Sequence, residues 1–137
     1  MQRPGSAPSR ARRRLGLGIA AVVVVPVGLA ARFLLDGWVG DAAGGVLYAV
    51  LVYLLVAVVA PYWRPRTVAV LALAISCAVE LLQLTPLPRE LAAAVPAVRL
   101  VLGSTFVPSD LVAYLLGVAV ASAVDRRAIS AAGHSPR

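Results

Sequence analysis

The sequence contains no lysine, one cysteine and one histidine among its 137 residues, and only 14% of its residues are charged. The single cysteine, Cys77, excludes an intramolecular disulfide and any metal site built from several cysteines. Cys77 and His134 leave little from which to build a nucleophile–base pair or a metal centre, so the sequence predicts no cofactor and no metal and does not favour an enzyme. With 61% hydrophobic residues, the chain is too apolar for a soluble fold of this size, which indicates a membrane protein.

The charge that is present is mostly positive. All 13 basic residues are arginine, six residues are acidic, and the formal net charge is +7. The arginines stand at the ends of apolar runs and do not alternate with aromatic residues along one face, so we expect no nucleic-acid partner. We therefore interpret the excess of arginine first as a signal of membrane topology.

Four apolar runs approach or exceed the length that a helix needs to cross roughly 30 Å of hydrocarbon. The sequence thus predicts an all-α integral membrane four-helix bundle within residues 15–124. The predicted helices are about 15–35, 42–62, 68–84 and 109–124. Because Arg12 and Arg13 precede the first run, a twin-arginine secretory signal is the alternative for that run; a membrane helix is favoured because no soluble domain follows.

The segments outside these helices are polar or rich in proline. We expect residues 1–14 to be a disordered basic tail and residues 125–137 to be a polar tail, both cytoplasmic. Residues 85–108 contain four prolines between apolar pieces. They predict a connection that lies along the surface, with a short helical piece near Arg89 to Val95, or a re-entrant segment.

The arginines also predict the orientation of the chain in a cell membrane, because cytoplasmic segments of membrane proteins carry an excess of arginine and lysine. Ten of them fall on one predicted side: Arg3, Arg10, Arg12, Arg13, Arg14, Arg64, Arg66, Arg126, Arg127 and Arg137. Three fall on the other side: Arg32, Arg89 and Arg99. Both termini are therefore expected in the cytoplasm of an inner or plasma membrane, as an even number of spans requires.

Glu80 is the most unusual residue of the third predicted helix, because an ionisable group near the bilayer centre costs about 2.5–3.5 kcal/mol on insertion scales. Gln83 follows three residues later on the same face of that helix. Under the predicted topology, Asp41 and Asp110 lie at the same outer end, and Tyr114 shares the face of Asp110. These residues and Arg99, which could pair with a carboxylate, form the candidate polar site.

Most of these residues have an alternative, structural interpretation, and Arg99 could instead pair with a phospholipid phosphate or extend to the membrane surface. Glu80 and Gln83 could hydrogen-bond across helices, to Tyr114 or to a backbone carbonyl, and so hold the bundle together. Asp41 and Asp110 each open a predicted helix, where a carboxylate caps the helix and meets its dipole.

Small residues recur every four positions in the second and fourth predicted helices and favour close packing of helices. The positions are Gly45, Ala49 and Ala57, with Tyr53 between them, and Ala113, Gly117 and Ala121.

An ordered set of residues, from about Phe33 to Ala121, resembles the small bacterial membrane proteins of domain of unknown function family 2809. The set is Gly40-Asp41, Tyr53, Glu80-x-x-Gln83, Leu102-Gly103-Ser104-Thr105-Phe106, Asp110, Tyr114 and Gly117. The resemblance implies a four-helix membrane protein without an established activity. More distantly, the chain is similar to VanZ-like membrane proteins linked to glycopeptide (teicoplanin) resistance, with Tyr114 where these tend to have Asn.

The leading functional hypothesis is a small bacterial inner-membrane protein with an outward-facing polar site centred on Glu80. This site would bind a lipid or a lipid-linked cell-envelope molecule, besides the bilayer itself. The alternative is a structural or accessory subunit whose polar residues lock helix packing and which binds a membrane-protein partner or a second copy of itself.

Overall fold

A computed structural model describes residues 7–103 and 105–133 of the protein, and this part of the chain contains helices and no strand. The helices are α1 Ala7–Leu34, α2 Gly37–Val59, α3 Pro65–Leu82, α4 Leu87–Ala94, α5 Val98–Leu102 and α6 Pro108–Gly133. Helices α1, α2, α3 and α6 are long and apolar enough to cross a membrane. The predicted all-α class and the four candidate spans are confirmed.

The first and last long helices extend further than predicted. Helix α1 begins at Ala7 and not at Leu15, and α6 continues to Gly133 instead of ending at Val124. The described parts of both predicted tails are therefore helical. One charged residue from each tail, Arg13 and Asp125, forms a pair inside the bundle, as shown below. Residues 1–6 and 134–137 lie outside the described residues, so the predictions for those parts of the tails stay predictions.

The turn between α1 and α2 is tighter than predicted. Helix α2 begins at Gly37, with Asp36 at the N-cap position and no capping hydrogen bond from its side chain. Asp41 lies inside the helix, so the prediction that Asp41 caps α2 was wrong. A Cβ atom at Gly40 would overlap the carbonyl oxygen of Leu35. Glycine at this position is what allows the chain to turn back so closely.

The connection between α3 and α6 holds the short helices α4 and α5, which pack chiefly on each other. Neither is long enough to span a bilayer, and of their residues only Pro88 is buried. This arrangement favours a surface-lying connection over a re-entrant one, since a re-entrant segment would pack into the bundle. Gly103 ends α5 with φ +64°, in the left-handed region that glycine tolerates.

Helix α2 lies at the centre of the bundle and packs on α1, α3 and α6. The small residues predicted to favour close packing form the contact between α2 and α6, which run parallel. A Cβ atom at Gly45 would lie 3.0 Å from that of Ala113, and one at Gly117 would lie 3.0 Å from that of Ala49. The small-residue faces are thus used within the chain, and Tyr53, Ala57, Val68 and Ala72 complete the fully buried interior beside them.

Candidate functional site

Glu80 lies near the end of α3 and has no exposed surface. Its Oε1 accepts a hydrogen bond from the backbone N–H of Val107 at 2.7 Å, and its Oε2 accepts one from the hydroxyl of Tyr114 at 2.8 Å. The ring of Tyr114 is tilted against that of Tyr48 with centroids 5.8 Å apart. The carboxylate therefore ties α3 to α6 and to the residues just before α6, which favours the structural interpretation of Glu80.

Gln83 ties the connection to the same end of α3. Its Nε2 donates to the carbonyl oxygen of Leu102 at 2.6 Å, and its buried Oε1 has no hydrogen-bond partner among the residues that the structure describes. A Cβ atom at Gly103 would lie 2.5 Å from Nε2 of Gln83, so this contact needs glycine at position 103. The contacts of Glu80 with Tyr114 and of Gln83 with a backbone carbonyl are those that the structural interpretation predicted.

Asp110 lies in the first turn of α6 and is half-buried. Within residues 7–103 and 105–133 its carboxylate accepts no hydrogen bond and forms no ion pair. A Cβ atom at Gly45 would lie 3.9 Å from its Oδ1, so the glycine backbone of α2 packs beside this carboxylate. The dipole of α6 favours a carboxylate at this position, but the acceptor capacity of Asp110 stays unused by the described chain.

The remaining two predicted site residues lie on the surface. Asp41 is exposed and forms an ion pair with Arg32 of α1. Arg99 is exposed on α5 and forms no ion pair with Glu80. The structure thus brings Glu80, Tyr114, Gln83 and Asp110 to one end of the bundle and leaves Arg99 apart from the buried carboxylate.

A second polar cluster, missed in the sequence, lies at the opposite end. Asp125 of α6 accepts hydrogen bonds from Nε of Arg13 at 3.0 Å, from Nη2 of Arg13 at 2.6 Å and from the hydroxyl of Tyr53 at 2.7 Å. Arg13 also donates to the carbonyl oxygen of Pro61. The side chains of Arg13 and Asp125 are 14% and 4% exposed, so this ion pair is shielded from solvent by protein. It joins α1, α6 and the end of α2.

The signal for Asp125 was present in the sequence. Ala113, Gly117 and Ala121 recur every four residues, and Asp125 is the next position of that series. Tyr53 belongs to the corresponding series in α2. Because α2 and α6 pack along these two faces, Tyr53 and Asp125 meet. Because Asp125 directly precedes Arg126 and Arg127, it was assigned to the polar tail, and its place in this series was missed.

Acidic, histidine and cysteine side chains do not gather in the described part of the chain. No group of three of them there could hold a metal ion.

Ser76, one turn before Glu80 on α3, is fully buried, and its hydroxyl has no hydrogen-bond partner among the described residues.

The fold and these contacts define a small helical membrane protein with four candidate spans and a buried polar contact near each end of the bundle. The chain belongs to the family described as a protein of unknown function (DUF2809), whose model matches residues 34–118, more than half of the chain. The resemblance to that family is confirmed. The matched region includes Glu80, Gln83, Asp110 and Tyr114 but not Asp125. No curated protein and no solved structure matches the chain.

Proposed function

We propose that the bundle end carrying Asp110 binds the head group of a lipid or a lipid-linked cell-envelope molecule. The observation that carries this proposal is the half-buried Asp110 carboxylate, which has no side-chain partner within the described residues. Polar groups withdrawn from water normally have hydrogen-bond partners. A carboxylate with unused acceptor sites can take a hydroxyl or an ammonium group of a ligand.

In this proposal Glu80 is a positioning residue and does not touch the ligand. Glu80 accepts from the N–H of Val107 and from Tyr114, which lie on either side of Asp110 in the sequence. Both contacts fix the start of α6 relative to α3. The sequence analysis predicted a site centred on Glu80. In this proposal the site is centred on Asp110, and Glu80 holds the start of α6, which carries Asp110, in place.

The exposed ion pair of Arg32 and Asp41 lies at the same end of the bundle and places one cation and one further carboxylate on the surface there. A lipid head group commonly combines a phosphate with hydroxyl or ammonium groups. Arginine forms bidentate hydrogen bonds to phosphate, whereas the two aspartates accept from the hydroxyl or ammonium groups. The mixed charge of this end suits such a head group better than it suits a purely anionic or a purely cationic ligand.

The distribution of arginine supports an outward-facing position for this site. The opposite end carries Arg13 and the positively charged turn with Arg64 and Arg66. Under the positive-inside rule that end is cytoplasmic, so Asp110 faces away from the cytoplasm. The more distant VanZ-like resemblance supports a role in the cell envelope of a bacterium.

The test is the lipid content of the purified full-length protein, measured by mass spectrometry for the wild type, Asp110→Asn and Asp36→Asn. Asp36 is an exposed aspartate with no side-chain capping bond and is the matched control. Loss of a charge-assisted hydrogen bond, about 1.5–3 kcal/mol, should weaken retention of one lipid species about 10- to 100-fold in Asp110→Asn alone. Equal lipid content in all three proteins would refute the proposal.

The contacts of Glu80 favour a second candidate, a structural or accessory subunit. Both of its oxygens are used inside the chain, and the small-residue faces of α2 and α6 pack on each other. A partner would therefore contact a surface other than these small-residue faces. If Asp110→Asn leaves the lipid content unchanged while Glu80→Gln releases a co-purifying membrane protein, this second function replaces the first.

A further inference from the structure

An open apolar groove of about 670 Å³ runs along the first half of α1 beside α2. Its apolar wall is formed by Leu15, Ile19, Val22 and Val23 of α1 and Val58 of α2. Arg14 also lines it, at the end that lies near the arginine-rich end of the bundle. The groove is distant from Asp110, which lies at the other end of the bundle, so it is independent of the function proposed above.

Unlike its neighbour Arg13, Arg14 has no partner among the described residues. Arg13 is bound to Asp125 and to the carbonyl oxygen of Pro61. Arg14 is exposed and makes no hydrogen bond or ion pair within the part of the chain that the structure describes. Arg10, one helical turn earlier, lies on the same face and is exposed as well. A free guanidinium thus stands at the mouth of a groove whose remaining wall is apolar.

We propose that this groove binds one anionic phospholipid, with its phosphate on Arg14 and an acyl chain along the apolar wall. Arginine pairs with phosphate through charge-assisted hydrogen bonds, and basic sites beside membrane helices bind anionic lipid head groups.

The dimensions of the groove match one leaflet. From Arg14 to Val23 the helix rises about 14 Å, at 1.5 Å per residue. That is close to half of the roughly 30 Å hydrocarbon core. A chain lying against this wall would run from the interface to about the middle of the bilayer, as a chain of a single leaflet does.

Gly18 is the position at which a larger side chain would enter the groove. It lines the groove, and a Cβ atom added to it would meet nothing within 4 Å. The side chain of a leucine at position 18 would therefore start in open space inside the groove. Gly16 has the same open surroundings, but it does not line the groove. Gly16→Leu is therefore a matched control for Gly18→Leu.

The experiment is native mass spectrometry of the full chain in a mild detergent, titrated with phosphatidylglycerol or with phosphatidylcholine. We expect one phosphatidylglycerol to bind the wild type more tightly than phosphatidylcholine does. Removing one arginine charge near the membrane surface should weaken its binding about fivefold in Arg14→Gln. Gly18→Leu should weaken it at least as much. Arg12→Gln, which removes an exposed arginine outside the groove, and Gly16→Leu should bind as the wild type does.

Three results would overturn the proposal. If Arg12→Gln weakens binding as much as Arg14→Gln, the lipid responds to the general positive charge and not to this site. If Gly18→Leu binds like Gly16→Leu, the groove does not hold the chain of the lipid. If the protein is a dimer that Gly18→Leu dissociates without changing phosphatidylglycerol binding, a second copy occupies the groove.

Discussion

Glu80→Gln keeps the shape of the side chain and removes its charge, and we expect it to lower the free energy of unfolding by about 1–2 kcal/mol. The carboxylate accepts from the Val107 N–H at 2.7 Å and from the Tyr114 hydroxyl at 2.8 Å. A hydrogen bond to a charged group contributes about 1.5–3 kcal/mol, and one between neutral groups about 0.5–1.5 kcal/mol. Glutamine has one acceptor oxygen, so the bond from the Val107 N–H can be kept in weakened form while the bond to Tyr114 must reverse, with Nε2 donating to the hydroxyl oxygen. The two changes together would cost about 2–3 kcal/mol, and the easier burial of a neutral amide offsets part of this.

The assay is equilibrium unfolding in detergent micelles, followed by the helical circular dichroism signal. Glu90→Gln is the matched control, because Glu90 is the other glutamate of the chain and is exposed on α4. We expect this control to stay within about 0.5 kcal/mol of the wild type. Adding Tyr114→Phe completes a double-mutant cycle, in which contacting residues show a coupling energy of about 0.5–3 kcal/mol. A stability of Glu80→Gln equal to that of Glu90→Gln, together with no coupling to Tyr114, would refute the role of Glu80 as a tether.

Two further substitutions test the packing of the bundle by the same unfolding assay. Asp125→Ala should lower the free energy of unfolding by about 3–5 kcal/mol, because it leaves the shielded Arg13 without its partner. The control, Arg126→Ala at an exposed position, should change the free energy of unfolding by less than about 0.5 kcal/mol. Equal effects of the two substitutions would contradict the buried cluster. Gly117→Ala should cost about 1–3 kcal/mol, because its Cβ would overlap the carbonyl oxygen of Val46. Gly28→Ala is the control: its Cβ would make an ordinary contact, so the substitution should be neutral or stabilising by up to about 1 kcal/mol. If Gly117→Ala changed the free energy of unfolding as little as Gly28→Ala does, α2 and α6 would not pack as closely as described.

The spans were predictable from the sequence because apolar length alone decides whether a helix can cross a bilayer. The helix ends were not, because they depend on contacts between distant residues. Arg13 was assigned to a disordered tail, since arginine usually faces solvent. Its partner Asp125 lies 112 positions away in the sequence, and only the assembled bundle brings the two together.

At the candidate site, the sequence predicted that Glu80, Gln83, Asp110 and Tyr114 lie at one end of the bundle, but it wrongly grouped Arg99 with them and did not predict which of them are accessible. Intramembrane carboxylates are functional by default, and that rule placed Glu80 at the centre. The structure gives Glu80 two donors and no exposed surface, whereas Asp110, interpreted equally well as a helix cap, keeps a free carboxylate. The backbone N–H of Val107, one of the two donors to Glu80, carries no signal in the sequence because every residue except proline has one.

The proposed outward-facing position of Asp110 can be tested by thiol accessibility in intact cells. With Cys77 replaced by serine, a single cysteine is introduced by Asp110→Cys or by Arg126→Cys and exposed to a membrane-impermeant maleimide. We predict that Asp110→Cys is labelled in intact cells and that Arg126→Cys is labelled only after the membrane is permeabilised. The opposite pattern, or an Asp110→Cys protein that stays unlabelled in both conditions, would contradict an outward-facing site at Asp110.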